Sequence, residues 1–123
     1  MTYILLIDDD EQFRTMLSLV LTEAGYDVQE ASNGREAVRL YRIRPADLVI
    51  TDLIMPEQEG LATIKEIKTL CRDAKVIAIS GGGRNNPGDY LKIAKAFGAN
   101  RVLAKPFLNS EILEVVESLL LES

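Results

Sequence analysis

Five strand-like runs alternate with segments of helical periodicity, and this alternation limits the possible folds more than any other feature of the chain. The strand candidates are residues 3–7, 27–31, 46–51, 74–79 and 101–104. Most of these runs are short and apolar, which is typical of strands buried on both faces of a parallel sheet. The pattern therefore predicts an α/β fold: a doubly wound (βα)5 parallel sheet with right-handed crossovers and helices on both faces.

The segments between the strands carry the start and stop signals of helices. Apolar residues recur at helical spacing over residues 11–24, 34–43, 59–71 and 90–97, and again in the last segment of the chain. One of the acids at positions 8–10 is expected to cap the first helix, and Gly25 is expected to end it. The segment 33–36 predicts a capping box for the second helix. Asn109 or Ser110 is predicted to cap the last one.

Length, composition and charge exclude several classes of protein. The 123 residues correspond to one domain with a real core, and 47% apolar with 27% charged residues indicates a globular chain. A net charge of −5 argues against a nucleic-acid-binding surface. The apolar runs are too short for a membrane span, and no secretory signal is recognisable. The single cysteine, Cys71, fits a reducing compartment, and the lack of histidine excludes imidazole metal sites and a Cys–His nucleophile within this chain.

Polar side chains follow four of the five predicted strands. Asp8 and Asp9 follow the first strand, Asp52 the third, Ser80 the fourth and Lys105 the fifth. In a flavodoxin-like strand order of 2-1-3-4-5, all of these residues converge on one edge of the sheet, where such folds bind ligands. An ionisable carboxylate at the end of a buried strand is costly unless it has a partner or a function.

The combination of these side chains suits phosphoryl chemistry. Clustered carboxylates repel one another and raise each other's pKa unless a cation is present, and Mg²⁺ is a suitable cation for oxygen ligands. Lys105 could pair with a phosphate and Ser80 could donate a hydrogen bond to it. Carboxylates are also known nucleophiles that form aspartyl phosphates. The site therefore fits a phosphoryl group on a carboxylate, with charge neutralised around it.

The joint pattern resembles the receiver domain of two-component response regulators, the CheY-like superfamily, over nearly the whole chain. The resemblance depends on four segments together: ILLIDDDE, ITDLIMPEQEG, VIAISG and LAKPF. It implies that a partner's phosphohistidine donates a phosphoryl group, and that the domain itself is a signalling receiver rather than an enzyme. It implies the following site: Asp52 as phosphoacceptor, Asp8, Asp9, Asp52 and the backbone carbonyl of Ile54 as Mg²⁺ ligands, Ser80 as switch hydroxyl, Lys105 as phosphate partner, and a cis peptide bond before Pro106.

The chain departs from the family pattern at two places that concern switching. Many family members have an aromatic residue where Val102 stands, so the usual aromatic rotation on activation is not expected. Activation is expected to reorder residues 81–90 instead, which include the Gly-rich segment after Ser80. Ile54 and Gly82 occupy the positions that influence hydrolysis of the phosphate in receivers. Neither can orient a water molecule, so slow to intermediate self-dephosphorylation is predicted.

Two other functions are compatible with parts of the sequence. Asp8 and Asp10 form a D-x-D pair after the first strand, as in aspartyl-nucleophile phosphatases of the haloacid dehalogenase type. Those enzymes need a late acidic pair at a strand end, whereas the acids after Lys105 lie in a helix. A phosphate on Asp8 rather than on Asp52 would identify such an enzyme. A receiver-like interaction module that is never phosphorylated is the second alternative.

The resemblance also implies the partners and setting of the domain. Residues 1–123 are interpreted as a single receiver domain, without an effector domain in this chain. A sensor histidine kinase or a histidine phosphotransfer protein is the expected donor, and the downstream partner is unknown. The expected location is the cytoplasm, with no direct contact to nucleic acid or membrane.

Overall fold

The computed structural model describes residues 1–53, 59–81 and 87–122. Within these residues, ten elements alternate strictly between strand and helix. Their bounds are β1 Tyr3–Ile7, α1 Glu11–Glu23, β2 Asp27–Ala31, α2 Gly34–Ile43, β3 Leu48–Asp52, α3 Glu59–Leu70, β4 Val76–Ser80, α4 Pro87–Ala96, β5 Arg101–Ala104 and α5 Asn109–Leu121. The predicted α/β class is confirmed.

The five strands form one parallel sheet in the order β2-β1-β3-β4-β5. This is the flavodoxin-like order predicted from the sequence. β1 and β3 are direct neighbours although β2 lies between them in the chain. The sheet order reverses direction at this point, so their carboxyl ends form the switch point where α/β folds bind ligands.

Alternate residues of the strands belong to two separate cores, one on each face of the sheet. Leu5 and Ile7 pack with residues of α2, α3 and α4. Ile4 and Leu6 pack with residues of α1 and α5. β1, β3 and β4 are therefore buried along their whole length, which explains their continuous apolar sequences.

The helix ends agree with the predictions at α1 but not at α4 and α5. Asp10 caps α1 by accepting hydrogen bonds from two backbone N–H groups of the first turn, and Gly25 follows it with a φ of 101°. α4 begins at Pro87 rather than at Tyr90, because proline fits the first turn, where its missing N–H has no intrahelical partner. The prediction of Asn109 or Ser110 as the cap of α5 was wrong, since both lie inside the helix.

The start of α5 uses a different capping group, and that of α2 uses the predicted one. The Glu111 carboxylate accepts a hydrogen bond from the backbone N–H of Leu108 at 2.9 Å. This bond takes the place of the predicted cap, in which a short polar side chain would be the acceptor. At α2, Asn33 Oδ1 accepts from the Glu36 N–H at 2.8 Å, which is one half of the predicted capping box. Within the described parts of the chain, no helix is both long and apolar enough to cross a bilayer.

Candidate functional site

The register of the sheet places the carboxyl ends of β1, β3, β4 and β5 side by side. Asp52, the last residue of β3, is paired with Ile79, next to the end of β4. Ser80 is paired with Ala104, and the Lys105 N–H donates to the Ser80 carbonyl at 2.8 Å. The polar side chains singled out from the sequence therefore share one edge of the sheet.

Three carboxylates form the centre of this edge. One oxygen each of Asp8, Asp9 and Asp52 lie within 4.8 Å of one another. Asp8 and Asp52 are buried, with 1% and 5% of their surface exposed, whereas Asp9 faces solvent. Oxygen donors grouped in this way fit a hard divalent cation such as Mg²⁺, which prefers carboxylate and water ligands.

The position of Asp8 is fixed by contacts to its carboxylate and to its backbone. Its Oδ1 accepts a hydrogen bond from the Asp10 N–H at 2.9 Å, and its carbonyl accepts one from Arg14 Nη1 at 2.8 Å. Arg14 Nε also pairs with Glu30 on β2 at 3.0 Å, so this arginine connects α1 to β2 and to the residue that follows β1. Burial raises the pKa of the Asp8 carboxyl, and the negative charge of Asp52 raises it further, against the lowering effects of the Asp10 N–H and Lys105.

Lys105 brings a positive charge to the site. Its Nζ lies 3.4 Å from Asp8 Oδ2 and 3.4 Å from Asp52 Oδ2, so it bridges the two buried carboxylates. The Lys105 side chain is only 22% exposed. This ammonium offsets part of the carboxylate repulsion and lies where it could contact a group attached to Asp52.

Ser80 has a buried hydroxyl that is available for a ligand. Only 1% of the residue is exposed, and within the described parts of the chain its Oγ makes no hydrogen bond. A buried hydroxyl without a partner costs free energy, so such groups often have a functional reason. The hydroxyl sits on the strand next to Asp52, which makes it a candidate donor to an incoming anion.

Gly60 allows α3 to approach the backbone of Asp52 closely. A Cβ at position 60 would overlap the Asp52 carbonyl oxygen and would lie 2.8 Å from the Cα of Leu53. The same Asp52 carbonyl accepts a hydrogen bond from the buried Thr51 hydroxyl at 3.1 Å. The close approach of α3 to the backbone of the candidate phosphoacceptor therefore requires glycine at position 60.

Two aromatic residues at the site were not identified from the sequence. The ring of Phe13, on α1, lies 3.8 Å from Lys105 Nζ, measured to the ring centroid. Phe107 packs against Phe13 with the ring centroids 6.1 Å apart. Apolar periodicity assigned Phe13 to the core face of its helix, and no local signal indicated a contact with a residue so distant in the chain.

Two of the remaining predicted positions, Pro106 and Val102, lie within the described residues. The Lys105–Pro106 peptide bond is cis. Val102 is partly buried and packs against the core that includes α2, α3 and α4. Ile54, Gly82 and most of the Gly-rich segment predicted to act as the switch lie outside the described residues.

Comparisons with known proteins show which family the chain resembles. The family model described as the response regulator receiver domain matches residues 4–117. The chemotaxis protein CheY of Thermotoga maritima is 40% identical over 114 residues, covering 92% of each chain. Sporulation initiation phosphotransferase F of Bacillus subtilis is 31% identical over 117 residues, covering 95% of this chain and 92% of the relative.

A solved structure extends the agreement to the fold. The receiver domain of NtrX from Brucella abortus superposes with a TM-score of 0.90 at 28% identity, covering 98% of this chain and 99% of that one. Receiver domains are signalling modules of two-component systems. With the family model spanning almost the whole chain, this protein belongs to the response regulator receiver domain family.

Proposed function

We propose that this receiver accepts a phosphoryl group on Asp52 from a phosphohistidine of a partner protein, in the presence of Mg²⁺. The observation that carries the proposal is the grouping of three carboxylates within 4.8 Å, two of them buried and bridged by Lys105. Repulsion between these carboxylates lowers the stability of the folded state. This cost is explained if the charges serve the transfer of an anionic group. The haloacid-dehalogenase alternative is not favoured by the family match.

The transfer exchanges one bond to phosphorus for another. A carboxylate oxygen of Asp52 forms the new P–O bond while the P–N bond to the partner's imidazole breaks. The imidazole nitrogen keeps the bonding electron pair and takes up a proton. Transfer of this kind asks the protein mainly to position the groups and to neutralise charge.

The acidic cluster fits the metal that receivers use. Asp8, Asp9 and Asp52 would hold Mg²⁺ through carboxylate oxygens, and the bound ion would supply positive charge beside the phosphoryl group. The burial of Asp8 and Asp52 keeps the charges in an environment where water screens them little. Asp9, on the exposed side of the cluster, leaves the site open toward the partner.

Lys105 and Ser80 would hold the product. The Lys105 ammonium already lies 3.4 Å from Asp52 Oδ2 and would pair with a phosphoryl oxygen attached there. The buried Ser80 hydroxyl would donate to another phosphoryl oxygen and thereby gain the partner that it lacks among the described residues. Movement of Ser80 toward the phosphate would transmit the change to the surface formed by β4, α4, β5 and α5.

The partners follow from the family and its relatives. We propose a sensor histidine kinase or a histidine phosphotransfer protein as donor and a separate downstream protein as recipient of the signal. One relative is a chemotaxis protein and another a sporulation phosphotransferase, so the pathway of this chain is left open. The single cysteine is partly buried and unpaired, in line with a proposed cytoplasmic location.

Mass spectrometry after incubation with acetyl phosphate and Mg²⁺ tests the proposal. We expect one alkali-labile phosphate on the wild type and none on Asp52→Asn. Asp73→Asn is the matched control, because Asp73 is an exposed carboxylate outside the cluster, and this variant should be phosphorylated normally. Phosphate on Asp8, or phosphate that persists in Asp52→Asn, would show that the assignment is wrong.

A further inference from the structure

Lys105 contacts an aromatic face as well as two carboxylates. Its Nζ lies 3.8 Å from the centroid of the Phe13 ring and 3.4 Å from an oxygen of both Asp8 and Asp52. A cation within about 6 Å of a ring centroid, over its face, is attracted by the negative charge of the π-system. The ammonium is therefore held both by charge and by an uncharged ring.

The Phe13 ring is itself held in place. The backbone N–H of Phe13 donates to Asp10 Oδ1 at 3.3 Å, which fixes the first turn of α1. Its ring meets that of Phe107 at a centroid distance of 6.1 Å and an interplanar angle of 84°, the edge-to-face arrangement that aromatic pairs prefer. Both rings also pack against the core between α1, α5 and the sheet.

The carboxylates alone do not define one position for the ammonium. A charge-assisted N–H···O bond is about 2.7–2.9 Å long, whereas both contacts of Lys105 are 3.4 Å. Lysine carries a compact charge on a flexible four-carbon stem, so contacts of this length allow its ammonium to adopt several positions. An aromatic face restricts these positions by attraction, whereas an aliphatic side chain would only exclude water.

We propose that Phe13 is a positioning residue for Lys105: its ring holds the ammonium beside Asp52, where it is needed when the phosphoryl group arrives. This inference rests on the proposed phosphoryl transfer to Asp52. Loss of the ring should slow phosphorylation roughly two- to thirtyfold, the range that corresponds to measured cation–π energies.

Nuclear magnetic resonance tests the contact without any phosphorylation. Protons over the face of an aromatic ring are shifted upfield, so the ε-methylene protons of Lys105 should resonate upfield of those of the exposed Lys65 and Lys92. The signal is assigned by its loss in Lys105→Arg. It should move to the position of exposed lysines in Phe13→Leu and stay shifted in Phe13→Tyr. Unshifted Lys105 protons in the wild type would overturn the proposal.

The rate of Asp52 phosphorylation by acetyl phosphate at saturating Mg²⁺ tests the consequence. We expect Phe13→Leu to be slow and Phe13→Tyr to be close to the wild type. Phe97→Leu, the same substitution at an exposed residue that directly follows α4 and is not among the residues of the site, should leave the rate unchanged. Phe13→Met takes the place of Phe13→Leu if the latter does not fold.

The two ways of failing are distinguishable. If the wild type takes no phosphate on Asp52, the proposed function is wrong, and the resonance of Lys105 still decides whether the contact exists. If the wild type is phosphorylated and Phe13→Leu matches its rate, the positioning role is wrong. A slow Phe13→Tyr variant would equally contradict it, because the ring is retained there.

Discussion

The two ends of the sheet use polar side chains in opposite ways. At the amino end, Asp47 and Asn100 each form two hydrogen bonds with the backbone of the first residue of a strand. The Tyr3 N–H donates to Asp47 Oδ2 at 2.8 Å and the Asp47 N–H donates to the Tyr3 carbonyl at 2.9 Å. The Val76 N–H donates to Asn100 Oδ1 at 2.9 Å and the Asn100 N–H donates to the Val76 carbonyl at 2.8 Å. These side chains complete the backbone hydrogen bonding of β1 and β4.

At the carboxyl end, polar side chains face one another instead. Asp8, Asp9 and Asp52 bring like charges together, and the Ser80 hydroxyl lacks a partner among the described residues. The hydrogen bonds at the amino end stabilise the sheet, whereas the grouped charges at the carboxyl end lower its stability, a cost that the proposed phosphoryl transfer explains. Substitutions at the amino end should therefore affect unfolding only, and substitutions at the carboxyl end should affect phosphorylation.

The largest effect is expected from Gly60→Ala, because this substitution should lower both the free energy of unfolding and the rate of Asp52 phosphorylation. Alanine is the better helix former by about 1 kcal/mol, so an unobstructed site would become more stable. Here the added methyl group would overlap the Asp52 carbonyl, and we expect a loss of about 1–3 kcal/mol in the free energy of unfolding. Displacement of Asp52 should also slow its phosphorylation. Denaturant unfolding and mass spectrometry measure both effects, and a stabilised variant would contradict the packing described here.

Asn100→Ala should destabilise the protein without affecting the site. It leaves the buried N–H of Val76 without its side-chain acceptor, which costs about 1–3 kcal/mol. Phosphorylation of Asp52 should continue at the rate of the wild type under conditions where the variant is folded. Asn100→Asp is the control, since it keeps an acceptor oxygen in the same place. Slower phosphorylation of folded Asn100→Ala would mean that the two ends of the sheet are coupled.

The sequence predicted the fold, and it predicted that Asp8, Asp9, Asp52, Ser80 and Lys105 share one edge of the sheet, because both depend on short, regular patterns. Apolar runs located the strands, and the residue after each run, such as Asp8 or Lys105, was brought to the common edge by the strand order alone. A cap among the acids at positions 8–10 was predicted because the first helical N–H groups need an acceptor nearby, and the structure shows that it is Asp10.

What the sequence did not predict depends on contacts between distant residues or on a choice between local alternatives. The contact of Phe13 with Lys105 joins α1 to the end of β5, and the contact of Arg14 with the Asp8 carbonyl depends on how α1 lies on the sheet. The cap of α5 was predicted wrongly because Asn109 and Ser110, two common capping residues, lie in the first turn of the helix, and the Glu111 carboxylate accepts from the Leu108 N–H instead.

The pH dependence of stability depends on the buried phenol of Tyr41, on α2. Burial, and then the neighbouring Cys71, raises the pKa of Tyr41 from 10.0 to about 12. The folded state therefore holds this proton more tightly than the unfolded state. The resulting stabilisation is fully present below pH 10 and is lost as the pH rises toward 12, with a slope of up to about 1.4 kcal/mol per pH unit. Urea unfolding between these pH values should show a shallower decline for Tyr41→Phe, and equal declines would contradict the raised pKa.

The smallest effect is expected from Asp9→Ala, because Asp9 is the exposed member of the acidic cluster and water screens its charge. Removing this carboxylate relieves repulsion with Asp8 and Asp52, so without metal the variant should melt at a slightly higher temperature than the wild type. Mg²⁺ should stabilise the wild type by RT ln(1 + [L]/Kd), and this gain should be reduced or absent in Asp9→Ala. Asp73→Ala removes an exposed carboxylate outside the cluster and should leave the response to Mg²⁺ unchanged. Thermal melts of four proteins over a Mg²⁺ titration make the comparison: the wild type, Asp9→Ala, Asp52→Ala and Asp73→Ala. An undiminished Mg²⁺ response in both Asp9→Ala and Asp52→Ala would mean that the metal binds elsewhere, and the cost of the buried carboxylates would then need another explanation.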